Sequence, residues 1–133
     1  MAYTAPDYFL VDELLTEEHK IVRQSVRDFV DKEIMPIIDH HAQTHTPIPG
    51  LMKKLGDIGA LGPYIPEEYG GAGLDQIAYG LIMVELERGD SAVRSAASVQ
   101  SSLVMYPIYS FGSEEQKRKY LPKLASGDMI GCF

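Results

Sequence analysis

Apolar residues recur at helical spacing along most of the chain. Between positions 22 and 34 they lie at i, i+4, i+7, i+8 and i+12, which is one face of a helix. These residues are Val22, Val26, Phe29, Val30 and Ile34. Thr16, followed by Glu17 and Glu18, is typical of a helix start, and Pro36 is expected to kink or end the helix. The pattern predicts a helix of about five turns.

Further helices are predicted after three short polar signals. Asp75 is expected to cap a helix, Asp90 or Ser91 to start the next, and Ser113-Glu114-Glu115-Gln116 reads as a capping box. A shorter amphipathic helix is predicted over 51–58. For the helix after Asp75 we expect a core face made of Ile77, Leu81, Val84 and Leu86.

Proline and glycine residues mark the remaining boundaries between predicted helices and turns. Pro107 is expected to break the helix before it. Pro122 is expected in the first turn of a new helix, and Ser126-Gly127 is expected to end that helix. The glycines of 70–73 follow no predicted strand and match neither phosphate-loop spacing, so an ordered turn is favoured over a nucleotide loop. The last residues, 129–133, are apolar and β-branched, as a strand would begin.

The predicted fold class is therefore all-α, a bundle of five to seven helices that stops at the first residues of a β-strand. Residues 1–13 form an N-terminal lead, 14–128 the helical domain, and 129–133 the truncated start of a β domain.

The amino-acid composition argues against several classes of binding partner and binding site. Of 133 residues 12 are basic and 19 acidic, a net charge of −7, which argues against nucleic acid and anionic membrane surfaces. The single cysteine, Cys132, excludes an intrachain disulfide and a cysteine-rich zinc site. With no secretory or membrane-spanning pattern at the N-terminus, we expect a cytoplasmic location.

Two groups of polar residues invite a functional interpretation. His40, His41 and His45 lie close in sequence, but adjacent helix positions point about 100° apart, so we favour a solvated helix end over a metal site. Arg94 is different, because its neighbours are small and apolar and a partly buried guanidinium needs an anion.

Two interpretations of Arg94 remain open at this point. It could form a structural salt bridge with Glu87 or Asp90, or it could clamp the carboxylate of a ligand in bidentate fashion. The serines around it, Ser91, Ser95 and Ser98, could line a polar pocket wall or serve as small helix-packing residues.

Three segments carry a resemblance to a known family. Residues 64–73 (YIPEEYGGAG) resemble the inter-helix loop of acyl-CoA dehydrogenases, and 112–117 with 120–127 are similar to that family's last helical hairpin. The run from 85 to 109 resembles the glutaryl-CoA dehydrogenase branch in particular, and the resemblance covers about 14–133.

The resemblance implies the N-terminal helical domain of an FAD-dependent enzyme that dehydrogenates an acyl-CoA thioester at its α,β bond, in fatty acid and amino acid degradation. In the glutaryl branch decarboxylation to crotonyl-CoA follows. It also implies electron-transfer flavoprotein as acceptor and a homotetramer. The catalytic base lies in a later domain, so no catalytic residue is expected here, and residues 1–133 alone are expected to be inactive and free of flavin.

The roles that the resemblance assigns to this chain are binding roles. Arg94 would hold the distal carboxylate of a dicarboxylic acyl chain, and Glu87 would orient Arg94. Ser95 and Ser98 would line the acyl pocket, with Leu103 closing its apolar wall, and Phe133 would begin the flavin-binding segment. The alternatives are a short-chain acyl-CoA dehydrogenase or oxidase without the carboxylate clamp, or a non-catalytic helical interaction module.

Overall fold

The computed structural model describes residues 6–133 and shows helices throughout. The α-helices are α1 (Glu17–Phe29), α2 (Ile38–Thr44), α3 (Leu51–Asp57), α4 (Gln76–Gly89), α5 (Ser91–Ser98), α6 (Tyr106–Phe111) and α7 (Glu114–Ala125). Two π-helical segments, Val30–Ile34 and Val99–Met105, continue α1 and α5, and short 3₁₀ turns cover Val11–Leu14 and Glu67–Tyr69. The predicted all-α bundle of five to seven helices is confirmed. Of the predicted lead 1–13, residues 1–5 lie outside the described part.

Helix starts follow the predicted caps. The Thr16 hydroxyl accepts the His19 backbone N–H while the His19 ring accepts the Thr16 N–H, closing a capping box. Asp75 accepts from Ala78 N–H at 2.8 Å at the start of α4. A second capping box joins Ser113 and Gln116 at the start of α7. Each cap satisfies backbone donors that the first helical turn leaves without partners.

Apolar side chains collect into two clusters. The first lies between α1, α3, α4 and α5, and the second between α7, the loop before α4 and the second π-helical segment. The buried members of the first are Val26, Val30, Ile34, Leu55, Ala60, Leu61, Ile82, Leu86, Val93 and Ala97. Those of the second are Ile65, Tyr69, Met105, Leu121, Leu124 and Ala125. The loop before α4 is thus ordered by the burial of its apolar residues.

The predicted core face of α4 is wrong at Ile77 and Val84 and correct at Leu86, while Leu81 is half-buried. Ile77 and Val84 are 53% and 63% exposed, whereas Ala78, Ile82 and Glu85 are buried with Leu86. Apolar residues surround this helix almost completely, so periodicity alone does not identify the inner face. The packing of α1 against α4 selects it instead.

Both later prolines are tolerated inside helical structure, so the predicted break at Pro107 and new helix at Pro122 are wrong. Before Pro107 the helix widens into its π-helical segment, where the Tyr106 N–H bonds to the carbonyl of Ser101, and Pro107 then lies in the first turn of α6. Proline is accommodated there because a first turn needs no N–H. Pro122 lies within α7, which ends as predicted before Gly127 at φ 75°.

The strand predicted at 129–133 is not formed among the described residues, which contain no strand. Residues 130–133 are irregular, and the Gly131 N–H bonds to a glutamine side chain instead of a neighbouring strand. Within residues 6–133, no helix combines the length and apolar character needed to cross a membrane.

Candidate carboxylate-binding site on the fifth helix

The corner between α4 and α5 brings together residues that are seven positions apart. Gly89 ends α4 against Val30, where a Cβ atom would overlap the valine side chain. Asp90 follows in extended conformation and caps α5, accepting the N–H groups of Ala92 at 2.8 Å and Val93 at 3.1 Å. Both capping bonds go to Asp90 Oδ1, and no ion pair joins Asp90 to Arg94 within residues 6–133.

Glu87 is the partner of Arg94. The Arg94 Nε donates to Glu87 Oε2 at 2.6 Å, and the other carboxylate oxygen accepts from the Ser91 hydroxyl at 2.6 Å. The hydrogen bond from Ser91, and then that from Arg94, lower the pKa of Glu87 below its usual range. Glu87 is thus an anion that orients the guanidinium from the side.

The opposite edge of the guanidinium is largely open. Arg94 Nη1 makes a long hydrogen bond of 3.4 Å to Ser98 Oγ, and Nη2 has no protein partner within residues 6–133. The Arg94 side chain is 35% exposed. An arginine held through Nε can present its two terminal nitrogens as a planar fork to two oxygens of a carboxylate.

The remaining predicted site residues lie at different distances from this fork. Ser98 contacts Arg94, while Ser95 contributes a carbonyl that accepts the Ser98 hydroxyl at 3.1 Å. Leu103 lies more than two turns further along, in the second π-helical segment, and is 43% exposed. Phe133 is 94% exposed at the far end of the chain. The structure therefore brings Arg94, Glu87 and Ser98 together, and the binding roles of all six predicted residues stay predictions.

A groove of about 750 Å³ runs along the other side of α5. Ala92, Val93 and Ala96 line it from α5, and these positions point away from Arg94 on a helix of 3.6 residues per turn. His41 and Lys53 are among the polar residues on its opposite wall. The groove is thus separate from the arginine fork.

The histidine cluster remains at the surface, at the end of α2. His41 Nδ1 lies 3.0 Å from Thr46 Oγ1, and the rings of His40 and His41 meet edge to face. No group of three or more His, Cys, Asp or Glu side chains in the described part of the chain is arranged to hold a metal ion.

Sequence reasoning missed Gln100, which is 1% exposed and uses both ends of its amide. The only signal was a polar Gln-Ser-Ser run between Val99 and Leu103, in a stretch otherwise apolar. It also missed the hydrogen bond between Tyr79 and Ser102, at 2.6 Å, which ties α4 to the second π-helical segment.

Comparison with known proteins gives one consistent result. Residues 16–128 match the family model described as "Acyl-CoA dehydrogenase, N-terminal domain". The human short-chain specific acyl-CoA dehydrogenase, a mitochondrial protein, is 43% identical over 119 residues, which are 90% of this chain and 29% of that protein. An acyl-CoA dehydrogenase from Bacillus subtilis is 44% identical over 90% of this chain and 31% of its own length.

A solved structure is similar to this chain at about the same sequence identity. The glutaryl-CoA dehydrogenase of Mycobacterium smegmatis in complex with FADH2 superimposes with a TM-score of 0.88 and 44% identity, covering 92% of this chain and 32% of that one. The chain thus spans about three tenths of the length of the relatives it matches.

Proposed function

Because the chain belongs to the acyl-CoA dehydrogenase family, we propose that it serves as the N-terminal helical domain of a flavin-dependent enzyme that oxidises an acyl-CoA thioester at its α,β bond. The match of 16–128 to the N-terminal domain of that family supports the proposal. In such an enzyme the base that removes the α-proton belongs to another domain, so this chain contributes binding and orientation.

FAD is the cofactor of the proposed enzyme, and this chain offers it an apolar contact. The resemblance places Phe133 at the start of the flavin-binding segment, and an aromatic ring can pack on the flat face of a flavin. The bound flavin would accept the β-hydrogen as hydride. Within the proposed enzyme, Phe133 would cover part of the flavin and exclude water from it.

We propose a dicarboxylic acyl-CoA, glutaryl-CoA, as the substrate. The observation that carries this is the open edge of Arg94, whose Nε is occupied by Glu87 while Nη2 is free of protein partners within residues 6–133. A distal carboxylate placed on that fork would fix the far end of the acyl chain. Holding that end orients the α and β carbons, and a displacement of about 1 Å can cost roughly 100-fold in rate.

A second candidate is a short-chain monocarboxylic acyl-CoA. It is favoured by the 43% identity to the human short-chain specific enzyme. It is also compatible with the geometry, because Glu87 already neutralises the charge of Arg94. In this case Arg94 is a structural salt bridge, as the sequence left open, and Ser95, Ser98 and Leu103 line a pocket for an uncharged acyl end.

We also propose a cytoplasmic location, which is supported by the single cysteine, Cys132, because proteins of oxidising compartments commonly carry disulfides. Electron-transfer flavoprotein as acceptor and a homotetrameric assembly are proposed on the resemblance alone. A helical interaction module without catalysis is the outcome if the full-length polypeptide binds no flavin.

The deciding experiment measures kcat/KM of the full-length polypeptide for glutaryl-CoA and butyryl-CoA, with and without Arg94→Gln. Loss of a charge-assisted bidentate contact costs about 2–4 kcal/mol, so kcat/KM for glutaryl-CoA should fall roughly 30- to 1,000-fold. Butyryl-CoA has no carboxylate for the fork, and its kcat/KM should change much less.

Arg23→Gln is the matched control, because Arg23 also forms a bidentate carboxylate pair, with Asp12, at the surface away from α5. This variant should leave kcat/KM for both substrates unchanged. Arg94→Lys should recover only part of the loss, since a point charge cannot replace the fork. Equal losses for both substrates would exclude the dicarboxylic acyl-CoA and favour the second candidate.

A further inference from the structure

The amide of Gln100 is fully used, and all of its partners lie near the end of the chain. Its Nε2 donates to the carbonyls of Leu124 at 2.9 Å and Met129 at 2.8 Å, and its Oε1 accepts the Gly131 N–H at 2.9 Å. The side chain is 1% exposed. Two donated bonds and one accepted bond thus connect the second π-helical segment to 124–131.

The segment held in this way has little structure of its own. Met129 N–H bonds to the carbonyl of Lys123 at 2.9 Å, and beyond it residues 130–133 follow no regular pattern. Gly131 packs against Val104, where a Cβ atom would overlap the valine side chain. Two residues of the same π-helical segment, Gln100 and Val104, therefore fix the path of the backbone through Gly131.

The same continuous helix carries the carboxylate site. Gln100 lies six residues after Arg94, which corresponds to about 9 Å along the axis. A buried side chain that bonds three backbone groups leaves them little freedom, because breaking any one would orphan a buried polar atom. The distance between Arg94 and the segment 129–131 is thereby set through Gln100.

We propose that Gln100 is a positioning residue that sets the path of Met129–Phe133 relative to the carboxylate fork of Arg94, and with it the relative placement of flavin and acyl chain. The proposal rests on the proposed function for the identity of the two ligands. The π-helical geometry contributes to this positioning, since widened helical turns recur at functional sites and here Gln100 and Ser101 are both buried.

The test replaces Gln100 with Met, which keeps the volume and removes all three hydrogen bonds. In the full-length polypeptide, hydrogen exchange at the Gly131 amide should become about tenfold faster relative to amides of α1, as expected for one lost hydrogen bond. With glutaryl-CoA, kcat should fall roughly 10- to 100-fold while KM stays within about twofold, because the reacting centres are misplaced but the fork of Arg94 is intact.

Gln116→Met is the matched control. Gln116 also bonds a backbone group, the Ser113 N–H, but it lies at the start of α7, away from 129–131. It should change neither Gly131 exchange nor the split between kcat and KM.

A second variant tests the same segment, 129–131, without altering Gln100. Gly131→Ala places a methyl group against Val104 and should reproduce the fall in kcat. Adding Val104→Ala removes the two γ-methyl groups that this methyl group meets most closely and should restore part of kcat. This pair keeps the proposal testable if Gln100→Met does not fold.

The proposal is overturned if Gly131 exchange is unchanged in Gln100→Met, or if exchange rises while kcat and KM both stay constant. It is also overturned if Gly131→Ala lowers kcat but Val104→Ala fails to rescue it. Failure of the carboxylate assignment gives a different result: Arg94→Gln would then affect glutaryl-CoA and butyryl-CoA alike, while Gln100→Met would still lower kcat for both.

Discussion

Two glutamates on α4, only two positions apart, form ion pairs of opposite character. Glu85 is 1% exposed, and its oxygens accept from Arg27 at 2.7 and 3.0 Å and from Arg88 at 3.0 Å. Arg88 continues to Asp31 at 2.7 Å. This network, which we name the Glu85 cluster (Arg27, Asp31, Glu85 and Arg88), uses both carboxylate oxygens of Glu85 inside the protein.

The Glu87–Arg94 pair is open by contrast. Its side chains are 45% and 35% exposed, and one edge of the guanidinium remains available. Positions 85 and 87 differ by about 200° around the helix, so the first faces α1 and the second faces solvent. Enclosure, and not residue type, therefore separates the two pairs: the Glu85 carboxylate is buried among its partners, whereas the Arg94 guanidinium keeps one edge exposed.

The largest expected difference between the two pairs is in stability. Glu85→Gln removes the anion between two arginines and should lower the free energy of unfolding by about 3 kcal/mol. Glu87→Gln, at the surface, should have a much smaller effect because water replaces the lost partner. Urea unfolding of the two variants measures this, and equal losses would contradict the distinction between an enclosed and an open pair.

The pH dependence of stability provides a second, smaller effect. Burial raises the pKa of Glu85, but hydrogen bonds from Arg27 and Arg88 outweigh it and the pKa is lowered overall. A lowered carboxylate pKa stabilises the fold above the unfolded value, about 4.3, and this stabilisation is lost as pH falls through the folded value.

Between about pH 5 and pH 3, the wild-type chain should therefore lose stability more steeply than Glu85→Gln. Urea unfolding at a series of pH values checks the slope. The variant should retain part of it, since Asp12 and Asp75 also have lowered pKa values from their hydrogen-bond partners. Identical slopes would show that Glu85 titrates alike in the folded and unfolded states.

The smallest effect is expected at the open pair. Ser91→Ala removes the 2.6 Å hydrogen bond that holds Glu87, so Arg94 should be less well oriented. In the full-length polypeptide kcat/KM for glutaryl-CoA should fall roughly threefold, which is the effect expected from losing one exposed hydrogen bond. The change should be in KM. Ser110→Ala, an exposed serine on α6, is the control. A loss as large as that of Arg94→Gln would mean that Ser91 itself contacts the substrate.

Local signals predicted the four helix starts that carry a side-chain cap. Thr16, Asp75, Asp90 and Ser113 all cap helices, because a cap is a hydrogen bond between residues two or three positions apart. The pairing of Arg94 with Glu87 was predicted as one of two partners for the same reason: both candidates lie within two turns.

The errors arose where distant segments meet. The inner face of α4 was misassigned because its apolar residues surround the helix and only contact with α1 decides which are buried. Pro107 and Pro122 were expected to interrupt helices, but the helical turn before Pro107 widens, and Pro122 lies inside α7 beside Gly70. Residues 129–133 pair with no strand within residues 6–133, and a strand requires a paired neighbour, so their place at the start of a β domain stays a prediction.

The sequence by itself determined the all-α class, the helix starts capped by Thr16, Asp75, Asp90 and Ser113, and two nearby acids as candidate partners of Arg94, because each depends on spacing within a few turns. Only the tertiary structure decided that Glu85 is enclosed while Glu87 is open, and that Gln100 holds a segment 24 to 31 residues away. Burial and long-range hydrogen bonds depend on which helices pack together, and that information is not carried by any local pattern.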